Sequence, residues 1–171
     1  MDKVEVIDNF FDKDLFKTIS DFMMGDEFAW FYNSDVDYEG QQNRAFQFTH
    51  IFYNYQRPQS PNYDLIDPFF EKLSVYCLSR IKANLLTRTN EIFKNDFHVD
   101  EIMFSTKQMK QWTTAIFYLN TNNGYTEFKD GTIINSVANR MVTFPMNMKH
   151  RGTTCTDEKT RVVINFNYYV E

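Results

Sequence analysis

The chain has 171 residues, 43% of them hydrophobic and 24% charged, which is the composition of one folded domain rather than a disordered or fibrous chain. Its net charge is −5 and it has no long run of Lys and Arg, so it lacks the counterion-releasing cations that drive bulk binding to a phosphate backbone. Two cysteines, Cys77 and Cys155, are too few for a disulfide framework and are expected to be reduced thiols.

No repeat or low-complexity stretch divides the chain, and residues 1–171 are expected to form one domain, with 1–79 supporting a core built from 80–171. The opening segment lacks the apolar run of a secretory leader, and no stretch is apolar enough to span a membrane. A cytoplasmic protein is the resulting expectation. Aromatic residues are abundant, with 18 Phe, 10 Tyr and 2 Trp, and these fit pleated surfaces.

Asp12 is a plausible N-cap, and Leu15, Phe16, Ile19, Phe22 and Met23 recur at helical spacing up to Gly25, predicting a helix over 13–24. Strands are predicted at Phe28–Tyr32 and Phe46–Tyr53, the second from alternating aromatics. Trp30, Phe31 and Tyr32 suit either a substrate wall or packing between helix and sheet. His50, within the second strand, reads as a structural histidine. After Ser60-Pro61, the positions Leu65, Phe69, Leu73, Tyr76 and Cys77 share a helical face, with Pro68 expected to split the run.

From Arg80 onward the pattern becomes short strands, at 80–87, 97–104, 113–120, 126–129, 141–144, 149–155 and 161–170. Turn signals separate them at Asn122-Asn123-Gly124, Asp130-Gly131 and Asp157-Glu158. Arg80, Lys82 and Asn84 alternate on one face of the first of these strands and read as solvated. The scattered methionines read as core filler. The fold class expected is α+β, mainly β: a β-sandwich or jelly roll with the N-terminal helices packed on one sheet.

Only three histidines occur, His50, His98 and His150. In Phe97-His98-Val99-Asp100 the imidazole and the carboxylate are two positions apart, so an extended backbone turns both to the same side. A third ligand has to come from a distant strand, and His150 stands beside one. Two neutral imidazoles and one carboxylate on one face leave coordination positions open, the arrangement of non-haem iron(II) oxygenases. Arg161 follows His150 by 11 residues across a turn, and hairpin pairing would set the two strands side by side. A guanidinium there is either a rim charge or a bidentate partner for an anionic ligand.

These residues resemble the 2-oxoglutarate/iron(II) dioxygenases of the prolyl-4-hydroxylase type, particularly the small bacterial and phage forms. The ordered matches are His98-x-Asp100, Ala115-Ile116-Phe117-Tyr118-Leu119-Asn120, Gly124-Tyr125-Thr126-Glu127-Phe128, Arg140-Met141-Val142-Thr143-Phe144-Pro145, His150, and Arg161 leading Val162-Val163-Ile164-Asn165-Phe166. Val6-Ile7-Asp8-Asn9-Phe10-Phe11 is similar to the family's usual opening. The resemblance implies a double-stranded β-helix, a cupin-like jelly roll. It implies Fe(II) on His98, Asp100 and His150, and 2-oxoglutarate with its distal carboxylate on Arg161, assisted by the Tyr118 hydroxyl. O2 completes the set for a hydroxylase acting on a peptide, protein or small-molecule substrate. Asn165 shares the strand face of Arg161 by alternation and is a candidate contact near the cosubstrate. Leu85 is read at a position where the family often carries a tyrosine, which leaves prolyl specificity open, and Gly124-Tyr125-Thr126 replaces the more usual double glycine. The competing readings are a non-catalytic jelly-roll binding or structural module, and a cupin-type metal enzyme, which usually needs more histidines.

Overall fold

A computed structural model describes residues 3–36, 46–100 and 104–171. The main sheet has the order β1 (Glu5–Ile7), β9 (Arg140–Pro145), β6 (Thr113–Tyr118), β11 (Thr160–Tyr169), β5 (Cys77–Thr87), β3 (Gln47–Asn54), β2 (Phe31–Asn33), with the short β4 (Arg57–Pro58) also pairing β3. A smaller sheet has the order β10 (His150–Gly152), β7 (Tyr125–Phe128), β8 (Ile133–Asn135). All these pairs are antiparallel. The mostly-β content and the two sheets, one large and one small, are consistent with a jelly roll.

Alternation along the central strands decides what each face does. On β11 the even positions Val162, Ile164, Phe166 and Tyr168 join the larger hydrophobic cluster, together with Ile81 and Ala83 of β5 and Ala115 and Phe117 of β6. That face is covered by α1 (Lys13–Met24) through Ile19 and Met23, and by α2 (Asp67–Lys72) through Phe69. Ring contacts such as Phe69–Phe117 and Phe69–Phe166, with centroids 5.0 and 4.8 Å apart, lock the helices to the sheet. The odd positions of β11 face the smaller sheet. Between the sheets Ile116, Tyr118, Phe128, Val142, Phe144 and Val163 form a second cluster at one end. The remainder of that space is a cavity.

The first helix spans the predicted residues, and Asp12 caps it by accepting from the amides of Asp14 and Leu15 at 3.1 and 2.9 Å. The second does not. A 3-10 turn (Tyr63–Ile66) leads into α2, which stops at Lys72. Ser74 follows with φ 51°, a left-handed turn that redirects the chain, so Tyr76 leaves the helical face and Cys77 opens β5 instead. The periodicity there was that of a helix running into a strand.

The strand predicted at 97–104 is also absent as such: among the described residues only the bridges Lys94↔Thr153 and His98↔His150 occur, and Glu101–Met103 lie outside the description. Between those bridges one side advances four residues (94 to 98) and the other three (153 to 150), a bulge that interrupts regular pairing. β8 and β1 were not predicted. Ahead of β6 lies a short helix that was not predicted, α3 (Thr106–Met109), opened by a capping box between Ser105 and Gln108. No helix is long and apolar enough to cross a membrane.

Candidate metal centre

His98 and His150 face one another. Each backbone amide donates to the other's carbonyl at 3.0 Å, the pattern of a hydrogen-bonded antiparallel pair, so both side chains leave the same face. Each ring is turned by its own chain: His98 Nδ1 donates to the carbonyl of Asp96, and His150 Nδ1 donates to that of Met148, both at 3.1 Å. A carbonyl only accepts, so Nδ1 carries a proton, and in the neutral ring Nε2 is the nitrogen that has the lone pair. Asp100, with a side chain 3% exposed, completes the group. Its Oδ1 lies 3.7 Å from both Nε2 atoms, and the three donor groups fall within 4.8 Å of one another. Burial would raise the Asp100 carboxyl. The nearby imidazole of His98 when it is protonated, that of His150 likewise, and the charge of Arg80 overcome that and hold it well below the usual carboxylate range.

The wall opposite is the cavity face of the main sheet. Lys82, Asn84 and Leu86 of β5 line it, with Ile116 of β6 and Arg161, Val163 and Asn165 of β11. The β5 face expected to be solvated is therefore the inner wall, and Arg80 on the same face places Nη2 3.8 Å from Asp100 Oδ1. The reason is long-range: the helices cover the face that carries Ile81 and Ala83, so the even positions of β5 point into the sandwich. Leu85 lies on the other face, packed against the helix-side core.

Arg161 is 3% exposed. Its Nε donates to Ser136 Oγ at 2.8 Å and its Nη2 to Thr126 Oγ1 at 3.1 Å, and among the described residues no carboxylate pairs with it. Burial pulls the guanidinium below its ordinary value, though an arginine keeps its charge. The expected hairpin with the His150 strand does not form. β10 pairs β7 in the small sheet while β11 sits in the main sheet, so Arg161 reaches the small sheet across the cavity. Two glycines make room for it: a Cβ at Gly124 would meet Arg161 Cδ at 2.7 Å, and one at Gly152 would meet Nη1 at 3.3 Å. Tyr118 is fully buried, donates to Thr126 Oγ1 at 2.8 Å, and has its ring centroid 5.6 Å from the guanidinium carbon. Thr126, not Tyr118, lines the cavity. Asn165 lines it too, with a buried Oδ1 that has no hydrogen-bond partner among the described residues.

His50 is elsewhere. Its Nδ1 donates to the Ala29 carbonyl and its Nε2 accepts from Ser60 Oγ, both at 2.7 Å, and Phe28 and Phe52 pack on the ring. It is the structural histidine expected. Thr126, Ser136 and Asn167 were missed as site residues. Asn167 could have been found by extending the odd-position alternation from Arg161. Ser136 had no such signal.

No protein-family profile and no curated protein matches the sequence. The fold does match solved structures. A 2OG-Fe(II) oxygenase family oxidoreductase from Burkholderia pseudomallei superposes with TM-score 0.64 at 9% identity, covering 97% of this chain and 85% of that one. A Pseudomonas putida prolyl-4-hydroxylase gives 0.61 at 11%, covering 100% and 94%. A prolyl hydroxylase from Trichoplax adhaerens, in complex with a hypoxia inducible factor peptide fragment, gives 0.65 at 9%, covering 97% and 83%. The chain thus has the fold of the prolyl-4-hydroxylase-like 2-oxoglutarate/iron(II) oxygenases.

Proposed function

We propose that this chain, whose fold is that of the prolyl-4-hydroxylase-like oxygenases, is an Fe(II)- and 2-oxoglutarate-dependent hydroxylase, its sandwich being a double-stranded β-helix within one domain over residues 1–171. The observation that carries this reading is Arg161. A buried guanidinium without an acidic partner is costly to keep. It lines the same cavity as His98, Asp100 and His150. A cavity that pairs a divalent-metal donor set with an unneutralised cation suits a ligand that chelates the metal at one end and carries a carboxylate at the other.

His98 Nε2, His150 Nε2 and one Asp100 oxygen would hold the iron. Two imidazoles and a carboxylate suit Fe(II), and their placement on one side leaves positions for a bidentate 2-oxo acid and O2. When loaded, such a centre supplies oxidative decarboxylation of 2-oxoglutarate to succinate and carbon dioxide, coupled to hydroxylation of a substrate C–H bond. The protein's part is binding and orientation. Arg161 pairs with the distal carboxylate and Thr126 lies beside it. Tyr118 acts through Thr126, which accepts from both Tyr118 and Arg161. Asn165 offers its amide partway along the cavity. The carbonyls of Asp96 and Met148 keep both imidazoles in the ligating tautomer. The substrate classes that suit this reading are a peptidyl residue or a small molecule. The protein in complex with a peptide among the similar structures supports the first.

The test is succinate formation from 2-oxoglutarate with Fe(II), in the absence of any other substrate. Turnover is expected in the wild type and lost in Asp100→Ala and His98→Ala. Turnover that survives either substitution refutes the ligand set. A binding or structural module would show none in the wild type.

A further inference from the structure

Asp100 follows a segment tied to the sheets near it by one bridge, His98↔His150. Its own backbone pairing does not aim its carboxylate. Side chains from the opposite sheet do. Arg80, Asn167 and Thr114 lie directly across from one another on β5, β11 and β6, because Asn167 pairs with Arg80 on one side and Thr114 on the other. Asn167 is fully buried. Its Nδ2 donates to Asp100 Oδ2 at 3.1 Å and to Thr114 Oγ1 at 3.0 Å. An ionised carboxylate only accepts, so the nitrogen side of the amide has to face it, and Thr114 takes the second proton and holds that orientation. Asp100 Oδ2 is thereby occupied, while Oδ1 is the oxygen that stands 3.7 Å from each imidazole Nε2.

We infer that Asn167, oriented by Thr114, is a positioning residue of the metal centre: it confines Asp100 to ligation through Oδ1 alone and so preserves the coordination position that a second carboxylate oxygen would take. The inference rests on the reading of His98, Asp100 and His150 as metal ligands. A second observation points the same way. Among the described residues Asn167 Oδ1 and Arg80 Nε are buried with no hydrogen-bond partner, so the Arg80–Asn167–Thr114 row is not optimised for its own stability. An apolar row would pack without those losses, but would leave Asp100 free to turn.

Cobalt(II) is a suitable probe, since its visible absorption reports ligand number and geometry without turnover. Wild type, Asn167→Leu, Thr114→Val and Thr114→Ser would be titrated with Co(II), and each metal-free variant checked for folding by urea unfolding. Asn167→Leu is expected to bind Co(II) about 10- to 100-fold more weakly, the usual cost of losing a partner of a metal ligand, with a changed band pattern. Thr114→Val should move both readouts in the same direction by less, and Thr114→Ser, which keeps the hydroxyl, should restore them. Should Asn167→Leu fail to fold, the contrast between Thr114→Val and Thr114→Ser decides. Wild-type affinity and spectrum in folded Asn167→Leu, or in Thr114→Val where only it folds, overturn the positioning role alone. A wild-type chain that binds no Co(II) overturns the metal-centre reading and the role with it.

Discussion

His98 and His150 are 52 positions apart in sequence and directly opposed in space, each amide bonded to the other's carbonyl at 3.0 Å. That one bridge brings the two imidazoles to the same face. It also makes the proposed metal centre depend on how firmly the 94–98 segment is held against β10.

Arg151 is a large part of that hold. Its guanidinium carbon lies 4.1 Å from the Phe97 ring centroid, and its Nε and Nη2 both reach Glu127 Oε2 at 3.0 Å. Arg151→Ala is expected to cost about 1–2 kcal/mol of stability, from a partly exposed cation–π contact and ion pair. The greater effect should be local. Hydrogen exchange at the Asn95 and His98 amides should accelerate, and metal affinity should fall several-fold. Unchanged exchange at those amides would show that Phe97 is anchored by other contacts.

Arg161 should trade stability for ligand binding. Arg161→Met keeps bulk and removes the buried charge, so the ligand-free protein should become more stable by roughly 1–3 kcal/mol in urea unfolding, the order by which uncompensated burial penalises an ion. The same variant should require far more 2-oxoglutarate for succinate formation. A loss of stability would mean that the bonds to Ser136 and Thr126 outweigh the desolvation of the charge.

Gly124 should be intolerant of any side chain. A Cβ there would lie 2.8 Å from the Thr154 carbonyl oxygen and 2.8 Å from Asn122 Oδ1, besides its clash with Arg161 Cδ. Gly124→Ala is expected to cost about 1–3 kcal/mol, as overpacking does, and to raise the 2-oxoglutarate requirement by displacing the guanidinium. Thermal unfolding and a 2-oxoglutarate titration check the two parts separately.

His50 predicts an acid sensitivity unconnected with the metal centre. Burial lowers its pKa from the ordinary 6.5, opposed by the bond to the Ala29 carbonyl. The unfolded chain therefore binds a proton at a pH where the folded chain does not. Its contribution to stability is intact above about pH 6.5 and declines as the pH falls below that, until the lower folded-state value is passed. His50→Gln should be less stable at neutral pH yet show a flatter decline from pH 7 to 5. An equal slope in both proteins would assign the acid sensitivity to other groups.

The first helix was legible because Asp12, the apolar spacing and Gly25 all act within a few residues of one another. The strands of β6, β9 and β11 were legible for the same local reason. The Tyr76-Cys77 end of the second helical pattern misled because Cys77 belongs to a strand and pairs there with Tyr169, 92 residues away. The inner wall built from Arg80, Lys82 and Asn84 was read as solvent-facing because nothing in an alternating strand says which face the rest of the molecule will cover.

By itself the sequence determined the alternation of β11 and the two-residue spacing of His98 and Asp100, since these are properties of neighbouring residues on an extended chain. The tertiary structure alone decided that His150 faces His98, that Arg161 crosses the cavity instead of lying beside His150, and that Asn167 holds one oxygen of Asp100. The physical reason is that sheet pairing and facing are set by which distant strands bury one another's apolar positions. A polar residue's role then follows from the side of the sheet on which that burial leaves it.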